Sequence, residues 1–219
     1  MSNIAVIPRD IPNDDLDIII DRVKDLRLCG LQQSPQAFSS KYENEVLFPR
    51  SKWLSRIEDP NARTFIALGG DSPAVVDSNP LPALLTREWM GTLTLRGPAV
   101  VPNQDDWTLA NLMDLFSSSQ LDRVQTLDLS TVAFKFNGVF VRSEGRGQGN
   151  GRRLVEEAIA HSKTKAVEMG ARRVWVLISV EVKNEAAFKF YRDCGFEVWK
   201  EKAWLETRDV RVLDMQLDC

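Results

Sequence analysis

The run Val174-Trp175-Val176-Leu177-Ile178-Ser179-Val180 has no polar face. A strand with one wet side alternates apolar and polar residues, whereas this one is apolar at both parities. It must therefore lie inside a sheet covered on both sides, the situation of strands in parallel sheets. Its surroundings fit that reading. Leu154, Val155, Ala158, Ile159, Ala166 and Val167 mark one face of a long preceding helix, stopped at Met169-Gly170. Asn184 is placed to cap a short helix running to Cys194, with Gly195 just past its end. Val132 to Val141 and Val210 to Leu217 read as further strands. Strand, helix, strand, helix, strand is the signature of an α/β fold.

The first half is less regular. Ile4 to Ile7 reads as a short strand. Leu16, Ile19, Ile20, Val23 and Leu26 repeat at helical spacing after Asn13-Asp14. Gln33 to Ser40 reads as a loop around Pro35, Trp53, Leu54 and Ile57 as a short helix, and Thr64 to Leu68 as a strand. Pro73, Pro80, Pro82, Pro98 and Pro102 crowd the next stretch. Asp71 to Thr86 and Gly97 to Asp106 are accordingly expected to be surface loops, with a strand from Trp89 to Leu95 between them. Leu109, Leu112, Met113 and Phe116 suggest a short amphipathic helix. These pieces, about 69–88 and 97–131, read as insertions on a single domain spanning 1–219, whose regular core covers about 132–199.

Composition excludes several classes. A net charge of −3 lacks the basic excess of a nucleic-acid binder. Cys29, Cys194 and Cys219 are odd in number and form no C-x-x-C pair, which argues against a disulfide framework or a zinc site and for a reducing, cytoplasmic setting. No stretch reaches the ~18 apolar residues of a membrane span. His161 is the one histidine, so a His-based metal cluster is impossible and Ser/Cys–His hydrolase chemistry is disfavoured. No metal site is expected.

The chemistry points to Val139-Phe140-Val141-Arg142-Ser143-Glu144-Gly145-Arg146-Gly147-Gln148-Gly149-Asn150-Gly151. A glycine-rich turn from strand to helix leaves backbone N–H groups facing one concavity, backed by the helix dipole, and such a nest binds phosphate. The nucleotide P-loop does not fit, because five positions after Gly145 stands Asn150 and five after Gly147 stands Arg152. The dinucleotide fingerprint also fails at Arg152. What remains is Arg146-x-x-Gly149-x-Gly151.

Farther on comes Asn184-Glu185-Ala186-Ala187-Phe188-Lys189-Phe190-Tyr191-Arg192-Asp193-Cys194-Gly195-Phe196. Together, V-x-V-x-x-x-x-R-G-x-G-x-G and N-x-x-A-x-x-F-Y-x-x-x-G-F resemble the GNAT superfamily of acyl-coenzyme A-dependent N-acyltransferases. The segments Leu26-Arg27-Leu28, Pro35-Gln36-Ala37-Phe38, Trp53 and Phe65-Ile66-Ala67 look like the N-terminal part of many members. Two positions depart from the family, which often has Pro at Ser143 and an aliphatic residue at Asn150. Neither departure touches the backbone groups on which such a turn depends, and no essential side chain is expected at either position.

The resemblance implies a mixed sheet of about seven strands, splayed between the fourth and fifth, with helices on both faces. It implies acetyl-coenzyme A as cosubstrate. The pantetheine would pair with backbone near Val139, Phe140 and Val141, and the pyrophosphate would rest on Arg146, Gly147, Gln148, Gly149, Asn150 and Gly151. Asn184 would touch the pantetheine arm, and Tyr191 would sit at the thiol as general acid. The implied reaction is direct transfer of an acetyl or other short acyl group to an amine in a ternary complex. Acylation of a protein lysine or N-terminus, and a non-catalytic acyl-coenzyme A sensor, remain as alternatives. A homodimer stays open, and so does the general base, with Glu88 and Glu181 as candidates. Asp71, Asp77, Asp105, Asp106, Glu201, Glu206 and Asp209 form an acidic set on the expected loops, including Glu201 to Asp209, that would attract a cationic acceptor.

Overall fold

The computed structural model describes residues 3–70, 79–101, 114–116, 131–205 and 208–219. The strands are β1 (Ile4–Val6), β2 (Ala62–Leu68), β3 (Trp89–Val100), β4 (Thr131–Val141), β5 (Arg173–Glu181), β6 (Glu197–Leu205) and β7 (Arg208–Asp218). The helices are α1 (Asn13–Gln33), α2 (Tyr42–Glu45), α3 (Arg50–Ile57), α4 (Leu81–Thr86), α5 (Asn150–Glu168) and α6 (Glu185–Asp193). The fold is α/β, with a seven-stranded mixed sheet in the order β1-β2-β3-β4-β5-β7-β6. The chain packs as two compact units. One comprises Met1–Thr94 and Gly138–Ala158, the other Leu95–Asn137 and Ile159–Cys219.

In the first unit β1 pairs antiparallel with β2. Its core gathers Ala5, Ile7, Ile19, Leu26, Ile66, Leu68, Leu81, Leu84, Trp89 and Phe140. The helical spacing in α1 is thereby explained, since Ile19, Ile20 and Leu26 are among the residues it buries. The loop expected over Asp71 to Thr86 is corrected where it can be seen. Leu81–Thr86 is the helix α4, with Leu81 and Leu84 buried, and residues 71–78 lie outside the described set. Pro82 falls in the first turn, where a missing N–H costs nothing, so prolines that suggested a loop are compatible with a helix. Arg22 Nη1 donates to the carbonyls of Leu84 and Arg87, and Trp89 Nε1 to that of Leu84. These donors satisfy the helix C-terminus.

The second unit holds the strand with no polar face. β5 pairs antiparallel with β7 along its whole length, from Arg173↔Asp218 to Glu181↔Val210. Its parallel register with β4 runs only from Thr131↔Arg173 to Lys135↔Leu177, although both strands continue beyond. The pairing thus ends before either strand does. Ala99, Val101, Phe116, Ala133, Trp175, Leu177, Val210 and Val212 form one core cluster.

Three further expectations are corrected. β3 continues past Leu95 to Val100, so residues 97–100 of the expected loop are strand, and residues 102–106 lie outside the described set. Gly97 sustains the strand at φ +127°, where a Cβ would lie 2.8 Å from the Ala133 carbonyl oxygen. Glu201 to Asp209, expected as loop, belongs largely to the β6–β7 hairpin, whose register shifts twice and so hides the period-two pattern. Val167 is 61% exposed, because the buried line on α5 runs through Ala158, Ser162 and Ala166, one residue off. Of the amphipathic helix expected around Leu109 to Phe116, only residues 114–116 are described, and Phe116 is buried. Among the described residues no helix is long and apolar enough to cross a membrane, and no cluster of three potential metal ligands occurs.

Candidate active site

The glycine-rich turn lies in the first unit, between the end of β4 and α5. A short 3-10 turn, Ser143–Gly145, closes on hydrogen bonds from Gly145 N–H to Arg142 O (3.0 Å) and Arg146 N–H to Ser143 O (3.3 Å). Gly147 (φ +75°) and Gly149 (φ +77°) then adopt left-handed conformations, and a Cβ on either would meet nothing within 4 Å. Glycine is therefore required here by backbone conformation, on a face that is open. Arg153 N–H reaches Gly149 O at 3.0 Å as α5 begins. The N–H groups of Asn150 and Gly151 precede that bond, so helix geometry offers them no intrahelical acceptor.

Carbonyl groups of the turn are occupied from within. Gln148 Nε2 donates to Glu144 O (2.8 Å), Asn150 Nδ2 to Gly145 O (2.8 Å), and Arg153 Nη2 to Gln148 O (2.9 Å). Arg146 Nε donates to Val141 O at 3.0 Å. With oxygens engaged inward and glycines open outward, the turn favours an anion. Glu144 is the opposing charge. Its own backbone hydrogen bond, then the Ser143 hydroxyl, hold its carboxyl below the ordinary value.

Helix α1 braces this turn through residues that the sequence did not single out. Gln33 Oε1 accepts from Ser143 N–H (3.2 Å), and Ser34 Oγ accepts from Arg146 Nη2 (3.3 Å). Arg142 donates to Trp89 O (2.9 Å), Cys29 Sγ (3.3 Å) and Asp25 Oδ2 (2.5 Å). Burial, opposed by the Arg142 charge, raises the pKa of the Cys29 thiol. The partners Asp25, Cys29, Gln33 and Ser34 lie more than a hundred residues from the turn in sequence, so no local signal could have found them. Of the three strand residues expected to face pantetheine, Phe140 is buried, and Val139 and Val141 are half-buried.

The other predicted residues, Asn184 and Tyr191, belong to the second unit, at the cap and last turn of α6. Asn184 Oδ1 accepts from Ala187 N–H at 3.1 Å, so the capping role is realised. Helix α6 ends with Phe196 N–H on Tyr191 O (3.0 Å) and Gly195 at φ +92°. Tyr191 is 4% exposed, edge-on to Phe190 (5.0 Å) and Phe196 (5.7 Å), and Phe136 of β4 packs on Phe196 (5.7 Å). Burial, then the nearby Cys194 thiol, push its phenol well above the ordinary tyrosine value. The Tyr191 hydroxyl thus sits buried in an aromatic setting.

Glu88 is exposed just before β3, and Glu181 is half-buried at the end of β5. On the β6–β7 hairpin, Glu201 lies 3.5 Å from Arg211 and Asp209 lies 3.2 Å from Lys202. Two members of the expected acidic set are therefore already paired. Asp71, Asp77, Asp105, Asp106 and Glu206 lie outside the described residues.

Residues 133–196 match the Acetyltransferase (GNAT) family model, a span holding most of β4, the turn, α5, β5 and α6. That match is to part of the chain, residues 133–196. A search of the curated proteins finds no significant relative. Among solved structures the chain resembles NAA60 of Arabidopsis thaliana in complex with a bisubstrate analogue, at 14% identity and TM-score 0.54, covering 98% of this chain and 99% of that one. It also resembles a GNAT-family acetyltransferase from Streptococcus pneumoniae, at 15% identity and TM-score 0.54, covering 98% and 99%. A chain of the NatC complex bound to Gag peptide and CoA matches at 19% identity and TM-score 0.50, covering 99% of each. At these identities the likeness is one of fold.

Proposed function

We propose that this chain, acting over residues 1–219 as one domain, is a cytoplasmic N-acetyltransferase. It would transfer an acetyl or other short acyl group from acyl-coenzyme A to an amine by direct attack in a ternary complex. One observation carries the reading. The turn inside the family-matched segment has its carbonyls held inward and two left-handed glycines open to the outside, the arrangement that backbone recognition of a pyrophosphate needs. The three free cysteines fit a reducing compartment.

The chain's own residues would divide the work. The turn from Arg146 to Gly151 would fix the pyrophosphate, Val139 to Val141 and Asn184 would hold the pantetheine arm, and the Tyr191 phenol would protonate the departing thiolate. The acceptor must first lose a proton to a base, for which Glu88 and Glu181 remain the candidates. Holding both reactants in line supplies much of the rate. Since structures of the same fold hold a peptide or a bisubstrate analogue, free peptide N-termini belong beside small amines in any acceptor screen. The test is thiol release from acetyl-coenzyme A against such a panel, with calorimetric titration of coenzyme A. Saturable turnover with at least one amine is expected. Tight binding without turnover on any of them would favour a sensor domain, and no binding would refute the reading.

A further inference from the structure

Asn150 is a polar residue buried to 3% exposure at the first position of α5. Its carboxamide is used at both ends. Nδ2 donates to Gly145 O at 2.8 Å, and Oδ1 accepts from Arg153 Nη2 at 2.8 Å. The same Arg153 nitrogen donates to Gln148 O at 2.9 Å. One side chain thus grips the beginning of the glycine-rich turn directly and its end through Arg153. Arg153 Nε is buried with no hydrogen-bond partner, so these two acceptors on the turn, Asn150 Oδ1 and Gln148 O, orient its guanidinium. Gly145 is packed just as closely. A Cβ there would lie 3.2 Å from Asn150 Nδ2 and 3.2 Å from Met90 Cβ.

The peptide plane converts this grip into an effect on binding. In a trans peptide the carbonyl of one residue and the N–H of the next point in opposite directions. Holding Gln148 O inward against Arg153 therefore turns the Gly149 N–H away from the clamp, towards the open side of the turn. Two glycines at positive φ have several alternative conformations, and the clamp selects one of them.

We propose that Asn150 is a positioning residue, whose carboxamide, acting through Gly145 and Arg153, preorganises the anion-binding turn. This rests on the reading of the turn as the coenzyme A pyrophosphate site. An aliphatic residue of similar size would fill the same volume, but it would take the donor from the Gly145 carbonyl and leave the Arg153 guanidinium with one acceptor fewer, held by Gln148 O.

The test compares Asn150→Leu, which loses both bonds, with Asn150→Asp, which keeps an acceptor for Arg153 and loses the donor to Gly145. Coenzyme A affinity is measured by calorimetry, and amide hydrogen exchange over Glu144 to Gly151 is measured in the free protein. Asn150→Leu should weaken coenzyme A at least tenfold and speed exchange in the turn. It should raise the acyl-coenzyme A KM while leaving the acceptor KM unchanged. In amide exchange, Asn150→Asp should fall between wild type and Leu. Pairing Asn150→Leu with Arg153→Met should cost less than the sum of the two single effects. If Asn150→Leu does not fold, Asn150→Asp carries the test through faster amide exchange in the turn, because its added charge would weaken an anion by itself. A folded variant with wild-type affinity and wild-type exchange would overturn the proposal. A wild-type protein that binds no coenzyme A would instead refute the functional reading, and the exchange measurement would still decide whether Asn150 orders the turn.

Discussion

Arg27 Nη2 meets Glu45 Oε1 at 2.7 Å, joining α1 to a carboxylate on α2 that is 1% exposed. Arg56 of α3 reaches the other oxygen at 2.8 Å. Burial alone would raise the carboxyl pKa. The hydrogen bonds and charges of the two arginines outweigh it and bring the value to about 2 from an ordinary 4.5. The depressed value means the ion pair stabilises the fold above the unfolded-state pKa and is lost as pH falls from about 4.5 towards 2. The linked free energy is roughly 3 kcal/mol. Urea melts at pH 7 and pH 3 should show that loss in wild type and a much smaller one in Glu45→Gln. Equal losses would show that other carboxylates govern acid unfolding.

The turn can be tested at a position with no side chain of its own. Gly149→Asp places a carboxylate on the open side of the nest and should weaken coenzyme A by at least tenfold, about 1.4 kcal/mol. Because Gly149 sits at φ +77°, any side chain there also strains the backbone by about 1–2 kcal/mol. Gly149→Ala is the control for that strain. Calorimetry should rank wild type, Ala and Asp in order of falling affinity, and a folded Asp variant equal to Ala would remove the anion from the argument.

Tyr191→Phe keeps the aromatic contacts with Phe190 and Phe196 and removes only the hydroxyl. Proton donation to the thiolate predicts a kcat lower by ~10²-fold with coenzyme A affinity unchanged. There is an alkaline signature as well. The folded pKa is raised by burial, so the phenol contributes stability that is intact below the unfolded value of about 10 and lost as pH rises above it. Melting curves between pH 9 and 11 should fall less steeply for Tyr191→Phe than for wild type. Unchanged kcat would leave Tyr191 as packing.

Ser179 is the polar interruption in β5, and its Oγ is buried with no hydrogen-bond partner. A buried hydroxyl left unpaired is unfavourable by about 1–3 kcal/mol. Ser179→Ala should therefore stabilise the protein by about 1 kcal/mol, a rise in Tm of about 2–4 °C for a chain of this size. A fall in Tm would mean that the hydroxyl has a partner, such as an ordered water.

The C-terminal half was legible in the sequence because its signals are local. A strand apolar at both parities, a glycine turn and an Asn cap each depend on neighbours within a few residues, and β5, the turn and the Asn184 cap stand where they were expected. Where local and tertiary demands differ, the sequence misleads. Proline crowding concealed α4, because the burial of Leu81 and Leu84 and the donors on Arg22 and Trp89 decide that segment. Register shifts concealed the β6–β7 hairpin. At the site, the glycines of the turn could be read from composition, since only glycine is at ease at positive φ. The bracing of that turn by Gln33, Ser34 and Arg142 could not. Hydrogen bonds between residues more than a hundred positions apart leave no periodicity in the chain and exist only once folding brings α1 against the end of β4.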